Sequence, residues 1–441
     1  MLDGNYSAAV INLGCKVNKY ESDSMKHKLS SAGYIIVDPE DVADFYIVNT
    51  CSVTNIAERK SRQMLRRAKR RNPSSVVVAA GCYVNADHKG LEAADYVDIL
   101  VGNNCKKDIV EILNDHIRKL DLETGHNKGV AKDDSGSSYV DISKEGTYEE
   151  MGSLGSSYMD HKRAYIKIQD GCNQFCSYCI IPYTRGRVRS RNKEHILDEA
   201  EKLSKEGVKE IVLTGIHISS YGTDFEGASY DIADLVRDIA EIDGVRRIRF
   251  GSLEPGIITE HFLDKLKGVS KLCPHFHLSL QSACNGTLKR MNRRYTIEDF
   301  FEKCKLLRRY YDRPAITTDI IVGFPGETEE EFNITYNNLE RLKLYEIHVF
   351  KYSVRKGTAA AAMPDQVKEE VKNQRSDRLI RLTKEQKGEF EKSLKGLEDF
   401  VLAEEKAYGN DCIFTGYTTR YVKVDLQSDG DIVNEIIPYT F

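Results

Sequence analysis

The sequence predicts an α/β protein with three parts: a Rossmann-like amino-terminal domain, a partial (β/α)6 barrel of TIM type and a small carboxyl-terminal all-β barrel. Two observations predict this fold. Buried-strand patterns alternate with helical patterns, once over the first 118 residues and again from about residue 163, and after Gly396 short β patterns alternate with turn residues. We divide the chain into 1–118, a linker or insertion at 119–160, a barrel at 161–372 and a terminal part at 373–441.

Composition limits the class of protein. The chain has 441 residues, with 64 Lys and Arg against 68 Asp and Glu, so any nucleic-acid surface must be local. No apolar run is long enough for a membrane span, and the first residues lack a basic segment leading into an apolar stretch, so we expect a cytoplasmic protein without a membrane partner. Eleven cysteines in a reducing compartment indicate metal binding or catalysis rather than a disulfide framework.

The first domain is predicted from three apolar runs. Residues 9–13 form a short run that ends at Gly14, and a helix follows to about residue 32, where Gly33 ends it. Residues 45–48 and 76–80 are further buried strands. Strand–helix alternation at this spacing indicates a parallel sheet with helices on its faces. The Gly, Ser, Asp and Lys of 119–160 indicate a linker or a mobile insertion.

The second region repeats the strand–helix unit six times. Strands are predicted near 164–169, 208–214, 245–250, 275–280, 315–322 and 345–350. Helices are predicted near 194–206, 231–242, 259–267, 297–310 and 328–342. Six such units indicate an incomplete barrel whose working face is the carboxyl edge of its strands, although the rhythm alone also allows an open doubly wound sheet.

The carboxyl-terminal part is predicted to begin with a helix over 366–396. Four β patterns follow, at 400–402, 412–414, 421–424 and 432–437. Turn residues between them indicate a small antiparallel barrel that resembles nucleic-acid-binding accessory modules. Residues 395–441 carry four Lys and Arg against nine Asp and Glu, so charge does not favour RNA binding by this barrel.

Three cysteines lie close together after the first barrel strand. Cys172, Cys176 and Cys179 are spaced x3 then x2 in a loop of polar residues, which is a poor apolar core. Zinc is one candidate, with His161 or His195 as the fourth ligand. An iron–sulfur cluster is the other, and three thiolates would leave one iron open for a substrate or cofactor.

Three more cysteines are far apart in sequence, but each one stands at the end of a predicted strand. Cys15, Cys51 and Cys82 each follow a predicted strand, and the carboxyl ends of parallel strands share one edge of a sheet. Each could be an ordinary buried cysteine, but their common register predicts a second metal centre. Cys105 is a weaker candidate for a fourth ligand.

The spacing of the second cysteine set, with Tyr178 just before Cys179, resembles the signature of radical S-adenosylmethionine enzymes. The resemblance implies that Cys172, Cys176 and Cys179 hold a four-iron four-sulfur cluster. S-adenosylmethionine would chelate the open iron through its amino and carboxylate groups, and reduction would yield a 5′-deoxyadenosyl radical. The resemblance also favours the partial barrel over the doubly wound sheet.

Motifs at the predicted strand ends agree with this resemblance. It implies cofactor contacts from Tyr178, Thr214, Gly215, Ser279, Gln281, Arg293 and Gly323. Taken alone, each glycine is more often a turn residue than a ligand contact. His275 and His277 are predicted to face one side of a strand and to serve packing.

The segments around Cys15, Cys51 and Cys82 resemble the amino-terminal domain of methylthiotransferases, and the terminal barrel resembles their TRAM module. The resemblance implies two four-iron four-sulfur clusters, the auxiliary one at Cys15, Cys51 and Cys82, with no catalytic residues beyond the cluster ligands. Cys15-Lys16-Val17-Asn18 and Cys51-Ser52-Val53-Thr54 resemble the branch that methylthiolates N6-threonylcarbamoyladenosine at position 37 of tRNA. Isopentenyladenosine or a ribosomal-protein aspartate are alternative substrates, and a non-catalytic zinc RNA-binding protein is the alternative from another class.

Local basic runs are candidates for binding the tRNA anticodon stem-loop. Residues 58–71 form a predicted helix with eight Lys and Arg against one Glu, and a second run follows Cys179. A charge run is often only a solvated helix face, but runs beside both cysteine sets indicate a track for phosphates. The RNA-binding candidates are Arg66, Arg67, Arg70, Arg71, Arg187 and Arg189. The reaction also implies a sulfur donor and a one-electron reductant such as flavodoxin or ferredoxin.

Overall fold

The computed structural model describes residues 6–125, 137–152, 162–227, 229–407, 409 and 412–441. Its strands are β1 (Ser7–Asn12), β2 (Ile35–Ile36), β3 (Phe45–Thr50), β4 (Val76–Gly81), β5 (Ile99–Val101), β6 (Arg163–Asp170), β7 (Arg189–Ser190), β8 (Glu210–Gly215), β9 (Arg247–Phe250), β10 (Ser252–Leu253), β11 (His275–Leu278), β12 (Ala315–Val322), β13 (Glu346–Lys351), β14 (Glu398–Lys406), β15 (Ile413–Thr418), β16 (Lys423–Gln427) and β17 (Ile436–Thr440). Its helices are α1 (Lys16–Ser31), α2 (Asn55–Arg71), α3 (Cys82–Ala86), α4 (His88–Glu92), α5 (Ile109–Gly125), α6 (Ile181–Arg185), α7 (Lys193–Lys205), α8 (Ile232–Ala240), α9 (Glu260–Leu266), α10 (Asn285–Arg290), α11 (Ile297–Tyr310), α12 (Glu329–Leu342) and α13 (Glu369–Ser393).

The first sheet is parallel throughout and has the strand order β2-β1-β3-β4-β5. Helices α1 and α5 cover one face, where Met25 and Leu29 pack with Ile109. Helix α2 covers the other face through Leu65 and Ala68. Side chains alternate between the two faces of a strand, so both helix layers find apolar partners on the same strands. The predicted Rossmann-like domain is confirmed, and the short edge strands β2 and β5 are additions to it.

The second region is the predicted partial barrel. Its strands form two sheets, with the orders β7-β6-β8-β9 and β10-β11-β12-β13, and a bridge between Ile248 and Leu272 joins them. All of these strand pairs are parallel except the short pair β6–β7. The strands follow one another around the layer without the reversal that a doubly wound sheet requires, so the open-sheet alternative is wrong.

The two α/β parts pack directly against each other. Helix α1 lies against β6 and β8, and the short helix α3 contacts α6, which follows the loop of the second cysteine set. Because α1 begins at the carboxyl edge of the first sheet, this packing brings that edge close to the working edge of the barrel.

The carboxyl-terminal part is an antiparallel half-barrel of TRAM type with the strand order β16-β15-β14-β17 and a bulge between Ala403 and Glu405. Arg163, at the start of β6, pairs with Glu404 at 2.8 Å, and Arg247, at the start of β9, donates to the carbonyl of Tyr417 at 2.9 Å. The half-barrel is therefore docked on the amino-terminal ends of the barrel strands. Helix α13, which precedes it, packs against β13 and α12.

Residues 137–152 pack against the rest of the chain, which the sequence did not predict for this part of the linker. Ser138 bridges to Val101 on the edge strand β5, and the Glu149 carboxylate accepts hydrogen bonds from two backbone amides of the first domain. Tyr148 donates from its hydroxyl to the carbonyl of Lys167 at 2.9 Å. Residues 119–125 of the predicted linker continue helix α5 instead, and residues 126–136 and 153–160 of it lie outside the described residues. In the described ranges no helix has the length and hydropathy of a membrane span.

Candidate active site

Cys15, Cys51 and Cys82 meet at the carboxyl edge of the first sheet. The strand register pairs Asn12 with Asn49 and Thr50 with Gly81, so the three cysteines directly follow neighbouring strand ends. Cys15 and Cys51 both lie within electrostatic range of Cys82. The chain approaches itself closely here, because a Cβ on Gly14 (φ +109°) would lie 2.9 Å from the sulfur of Cys51. The predicted convergence of these thiols is present in the structure.

Cys172, Cys176 and Cys179 line one loop after β6. Gly171 turns the chain into this loop with φ +71°, and the backbone amide of Gln174 donates to the sulfur of Cys172 at 3.4 Å. The guanidinium of Arg293 donates to the sulfur of Cys176 at 3.3 Å.

The six cysteines differ in exposure: Cys51 and Cys82 are buried, the three cysteines of the second set are partly buried, and Cys15 is exposed. Burial, together with the charge of Cys82, raises the pKa of Cys51 to about 12. Burial also raises the pKa of Cys172 to about 11 and that of Cys179 to about 12. Because thiolates are the metal-binding form, deprotonating these groups requires a nearby positive charge, which a metal centre supplies.

The sulfur spacing favours an iron–sulfur cluster over a single zinc ion. Tetrahedral zinc with bonds of about 2.3 Å brings its sulfur ligands to about 3.8 Å from one another. Among the described residues, neither cysteine set has all three sulfur atoms within 4.8 Å of one another. His195, a candidate fourth zinc ligand, contacts Glu150 at 3.2 Å, and His161 lies outside the described residues. The donor sets therefore fit three-thiolate iron–sulfur sites.

A buried ionic network joins the two cysteine sets. Arg185, at the end of α6, donates from Nε to the sulfur of Cys82 at 3.1 Å and from Nη1 to Glu21 at 2.8 Å and Asp170 at 3.1 Å. Lys167 contacts Glu21 at 2.8 Å and Asp170 at 2.6 Å. Asp170 is two residues before Cys172, so one set of ion pairs spans from the first cysteine set to the loop of the second.

The network carries more positive than negative charge. Lys106 also pairs with Glu21, and Arg189 lies 3.9 Å from Asp170, so four cations meet two carboxylates, and all six side chains are buried. Burial alone would raise the pKa of Glu21, but Arg185, Lys106 and Lys167 hold it well below its usual value. The positive charge in excess lies beside Cys82, to whose sulfur Arg185 donates. Sequence reasoning missed Arg185, Glu21 and Lys106 because their partners are distant along the chain.

The predicted cofactor residues lie on the carboxyl edge of the barrel. Thr214 and Gly215 end β8, while Ser279 and Gln281 follow β11. Arg293 also donates to Glu254 at 2.7 Å and to the carbonyl of Ser279 at 2.9 Å. Arg293 and Ser279 are thus in contact, and the cofactor contacts of this set stay a prediction.

Gly323 is different, because a Cβ there would lie 2.3 Å from the side chain of Lys372 on α13. Its lack of a side chain makes room for that helix, and its cofactor contact stays a prediction.

A cavity of about 260 Å³ opens between the second cysteine set and the first domain. Tyr178, Cys179, Gln281 and Asp319 line the barrel side, and Thr54 belongs to the first domain. We call it the cluster-side cavity. Of the six cysteines only Cys179 lines it, and the first domain contributes Val53 and Thr54.

Three polar side chains lie together on the barrel strands β11, β12 and β13. The nitrogen atoms of His277 and His348 and a carboxylate oxygen of Asp319 lie within 4.8 Å of one another. Burial and the guanidinium of Arg249 lower the pKa of Lys16, while Asp319 raises it, so Lys16 comes within electrostatic range of this group. Sequence reasoning assigned His277 to packing and did not single out Lys16, Asp319 or His348. The alternation of side chains along β11, β12 and β13 is the signal that could have placed the barrel residues on one face.

The predicted RNA-binding residues fall into distinct groups. Arg66 lies over the ring of Tyr96 at 4.7 Å, and Arg66 and Arg70 line an open groove of about 950 Å³. Arg67 and Arg71 instead pair with Glu40.

The second basic run, which follows Cys179, also contains both an exposed and a buried arginine. Arg187 is exposed and lies over the ring of Phe175 at 4.4 Å. Arg189 is fully buried, donates to the carbonyl of Arg187 and to the side chain of Asn104, and cannot reach a phosphate. The prediction that Arg189 binds RNA is wrong.

Comparison with protein families gives two matches. Residues 166–339 match the model described as the radical SAM superfamily, and residues 7–102 match one described as uncharacterized protein family UPF0004.

Comparison with curated proteins extends over nearly the whole chain. A Bacillus subtilis (strain 168) protein named threonylcarbamoyladenosine tRNA methylthiotransferase MtaB is 40% identical over 98% of this chain and 92% of its own length. The protein of the same name from Aquifex aeolicus (strain VF5) is 37% identical over 88% of this chain and 90% of its own length. A tRNA-2-methylthio-N(6)-dimethylallyladenosine synthase from Acetivibrio thermocellus is 34% identical over 96% of this chain and 86% of its own length.

Among solved structures, the radical S-adenosylmethionine methyltransferase TsrM from Kitasatospora setae matches with a TM-score of 0.58. It is 15% identical, with 81% of this chain and 77% of that chain covered, so the likeness concerns the fold.

Proposed function

This chain belongs to the MtaB family of radical S-adenosylmethionine tRNA methylthiotransferases, and from that membership we propose that it inserts a methylthio group at C2 of N6-threonylcarbamoyladenosine at tRNA position 37, next to the anticodon. The observation that carries the proposal is the link between the two three-cysteine sets, where Arg185 donates to Cys82 of the first set and to Asp170, two residues before Cys172 of the second. The names of the Bacillus subtilis and Aquifex aeolicus relatives support the same substrate.

The two cysteine sets have separate roles in this proposal. Cys172, Cys176 and Cys179 would hold the cluster that binds S-adenosylmethionine, and Cys15, Cys51 and Cys82 would hold the auxiliary cluster, at which sulfur is handled. When bound, the first cluster with its cofactor supplies the radical that an unactivated carbon–hydrogen bond requires.

The chain's own residues position and shield the site. Arg293 orients Cys176 and is itself held by Glu254, and Arg185 compensates the charge of Cys82. The walls of the cluster-side cavity come from both domains, so a nucleotide bound there is shielded from bulk water.

The partners are proposed from the chemistry of the reaction. The anticodon stem-loop of tRNA would lie along the groove that Arg66 and Arg70 line and beside the exposed Arg187. A sulfur donor and a one-electron reductant such as flavodoxin or ferredoxin complete the reaction. A tRNA-modifying enzyme of this kind acts where tRNA is found, in the cytoplasm.

Nucleoside mass spectrometry of tRNA tests the proposal. A strain that lacks this protein should contain N6-threonylcarbamoyladenosine without its 2-methylthio form, and the intact gene should restore it. Cys51→Ala and Cys176→Ala should not restore it, whereas Cys412→Ala, at an exposed cysteine of the terminal half-barrel, should.

The result also separates the alternatives. Unchanged methylthiolation of threonylcarbamoyladenosine in the deletion strain, with loss from dimethylallyladenosine or a ribosomal protein, would refute the substrate. A colourless purified protein that contains zinc and no iron would refute the enzyme.

A further inference from the structure

Two buried side chains donate hydrogen bonds to the sulfur of Cys82. Nε of Arg185 lies 3.1 Å from this sulfur, and the side-chain amide nitrogen of Asn103 lies 3.5 Å from it. The orientation of that amide is well defined, because the same nitrogen also donates to the carbonyl of Thr184 at 2.8 Å. Arg185 and Asn103 are 0% and 1% exposed, so bulk water does not compete for the sulfur.

The two donors come from different domains. Asn103 follows β5 of the first domain, whereas Arg185 ends α6, which belongs to the barrel and begins two residues after Cys179. All three thiols of the first cysteine set belong to the first domain. The charged partner of Cys82 is therefore supplied by the domain that carries the other cysteine set.

The surroundings of Cys82 carry a net positive charge. Arg185 belongs to the buried network in which four cations meet two carboxylates. The second cysteine set also has an arginine, since Arg293 donates to Cys176 at 3.3 Å, but Arg293 pairs with Glu254 at 2.7 Å. The network around Cys82 thus has positive charge in excess, whereas the arginine next to Cys176 has a carboxylate partner of its own.

Hydrogen bonds and positive charge at a ligand sulfur both act on the reduction potential of an iron–sulfur cluster. One-electron reduction adds one negative charge to the cluster, and the thiolate sulfur atoms carry part of it. Hydrogen bonds to these sulfur atoms and nearby positive charge stabilise the reduced form, which raises the potential. The effect is larger in a buried site, because charges interact more strongly where water is excluded.

We propose that Arg185 and Asn103, acting through Cys82, raise the reduction potential of the auxiliary cluster, so that the barrel domain determines how readily this cluster accepts an electron. The inference rests on the proposed function and deepens it. One electron passes from the one-electron reductant to the cluster, and no bond is formed or broken. Arg185 and Asn103 are positioning residues, since they contact the ligand sulfur and act on the iron through it.

A reductive titration of the anaerobic, reconstituted enzyme tests this proposal. Electron paramagnetic resonance measures how much of each cluster is reduced at each potential. The full chain with Cys172, Cys176 and Cys179 all changed to alanine identifies the signal of the auxiliary cluster. Arg185→Gln should lower the midpoint of that cluster by at least about 59 mV, which is a tenfold change in the equilibrium constant of a one-electron couple. The midpoint of the other cluster should change much less.

Two further variants separate the hydrogen bonds from the charge. Asn103→Leu removes one donor without changing the charge, and it should also lower the midpoint, by less than Arg185→Gln does. Arg185→Lys keeps the charge and should give a midpoint between those of the intact enzyme and Arg185→Gln. Asn103→Leu decides the question if Arg185→Gln binds no auxiliary cluster.

Arg189→Gln is the matched control. Arg189 is fully buried, lies 3.9 Å from Asp170 in the same network and carries the same charge. It donates to the carbonyl of Arg187 and to the side chain of Asn104 rather than to a sulfur atom. Its replacement should therefore move the midpoint of the auxiliary cluster much less than Arg185→Gln does.

Two outcomes overturn the proposal. An unchanged midpoint in Arg185→Gln, or in Asn103→Leu where Arg185→Gln lacks the cluster, would refute the role of the two donors. Equal shifts in Arg185→Gln and Arg189→Gln would show that only the total charge of the network matters. Failure of the proposed function is visible separately, as missing iron in the intact protein or as unchanged tRNA nucleosides in the deletion strain.

Discussion

Gly171 shows how strictly the backbone limits a single residue beside the second cysteine set. It has φ +71°, and a Cβ there would lie 1.7 Å from the carbonyl oxygen of Arg187. A methyl group therefore cannot be added without moving the backbone of the neighbouring segment. The loop that carries Cys172, Cys176 and Cys179 depends on this glycine for its entry.

We expect Gly171→Ala to lose the second cluster while the first is retained. Moving the loop would separate the three thiols, so the iron content should fall to about half that of the intact protein. Gly207→Ala is the matched control, since Gly207 also has a positive φ (+90°) but no atom within 4 Å of an added Cβ. That control should cost about 1 kcal/mol of strain and keep its iron. Equal iron in both variants would contradict the expectation.

Other single residues show what the sequence could not reveal. The six cysteines were predictable because they follow strand ends or lie close together, and both features are local. The burial of Arg185 and Arg189 was not predictable, because burial depends on which residues pack against the segment. Arg187 is exposed, whereas its neighbours Arg185, Gly186, Val188 and Arg189 are all buried, so no period along the sequence marks the exposed arginine.

Helix α2 divides its basic residues between two faces. Arg59, Arg62, Arg66 and Arg70 are spaced by three or four residues and line the open groove, whereas Arg67 and Arg71 both contact Glu40. The spacing follows from 3.6 residues per turn, so the division was already readable from the sequence once the helix was assigned. The contact of Arg67 and Arg71 with Glu40 could not be read from the sequence.

We expect charge reversal on the groove face to weaken tRNA binding more than reversal on the other face. Arg66→Glu with Arg70→Glu should remove two phosphate contacts and reduce the slope of log affinity against log salt by roughly 1.5 to 2. Arg67→Glu with Arg71→Glu makes the same change in net charge and should alter the slope much less. Titrations at several salt concentrations measure this, and equal slopes for the two double variants would refute the groove as the tRNA site.

At the scale of the whole molecule, ion pairs of the buried network connect the two α/β parts. Glu21 and Lys106 come from the first domain, and Lys167, Asp170 and Arg185 come from the barrel. The network is fully buried, so its members compensate one another and water cannot replace a missing partner. Stability of the interface therefore depends on the complete set.

We expect Glu21→Ala to destabilise the protein by about 3–5 kcal/mol, because it leaves buried Arg185, Lys106 and Lys167 with one carboxylate fewer. The thermal unfolding midpoint under anaerobic conditions should fall by several degrees. Glu40→Ala removes a carboxylate that also pairs with two arginines, but at the surface, and should cost about 1 kcal/mol or less. Similar midpoints for the two variants would argue against the network as the main link between the parts.

The order of strands and helices along the chain was predictable, because hydrophobic periodicity records it. All six barrel strands and the strands before the first cysteine set lie where their patterns predicted. The contacts between the parts were not predictable. Polar groups such as Glu21 and Tyr148 have no apolar period, and their burial becomes visible only when both domains are assembled.

Arg185 limits which first domains and barrels can be combined in one chain. The guanidinium next to Cys82 is encoded about a hundred residues further along the chain, in the neighbouring module. A chimera that grafts the first domain onto a foreign barrel would carry the three thiols but leave their counter-charge behind. Recombination between relatives therefore succeeds at this junction only if position 185 travels together with the acidic residue at position 21.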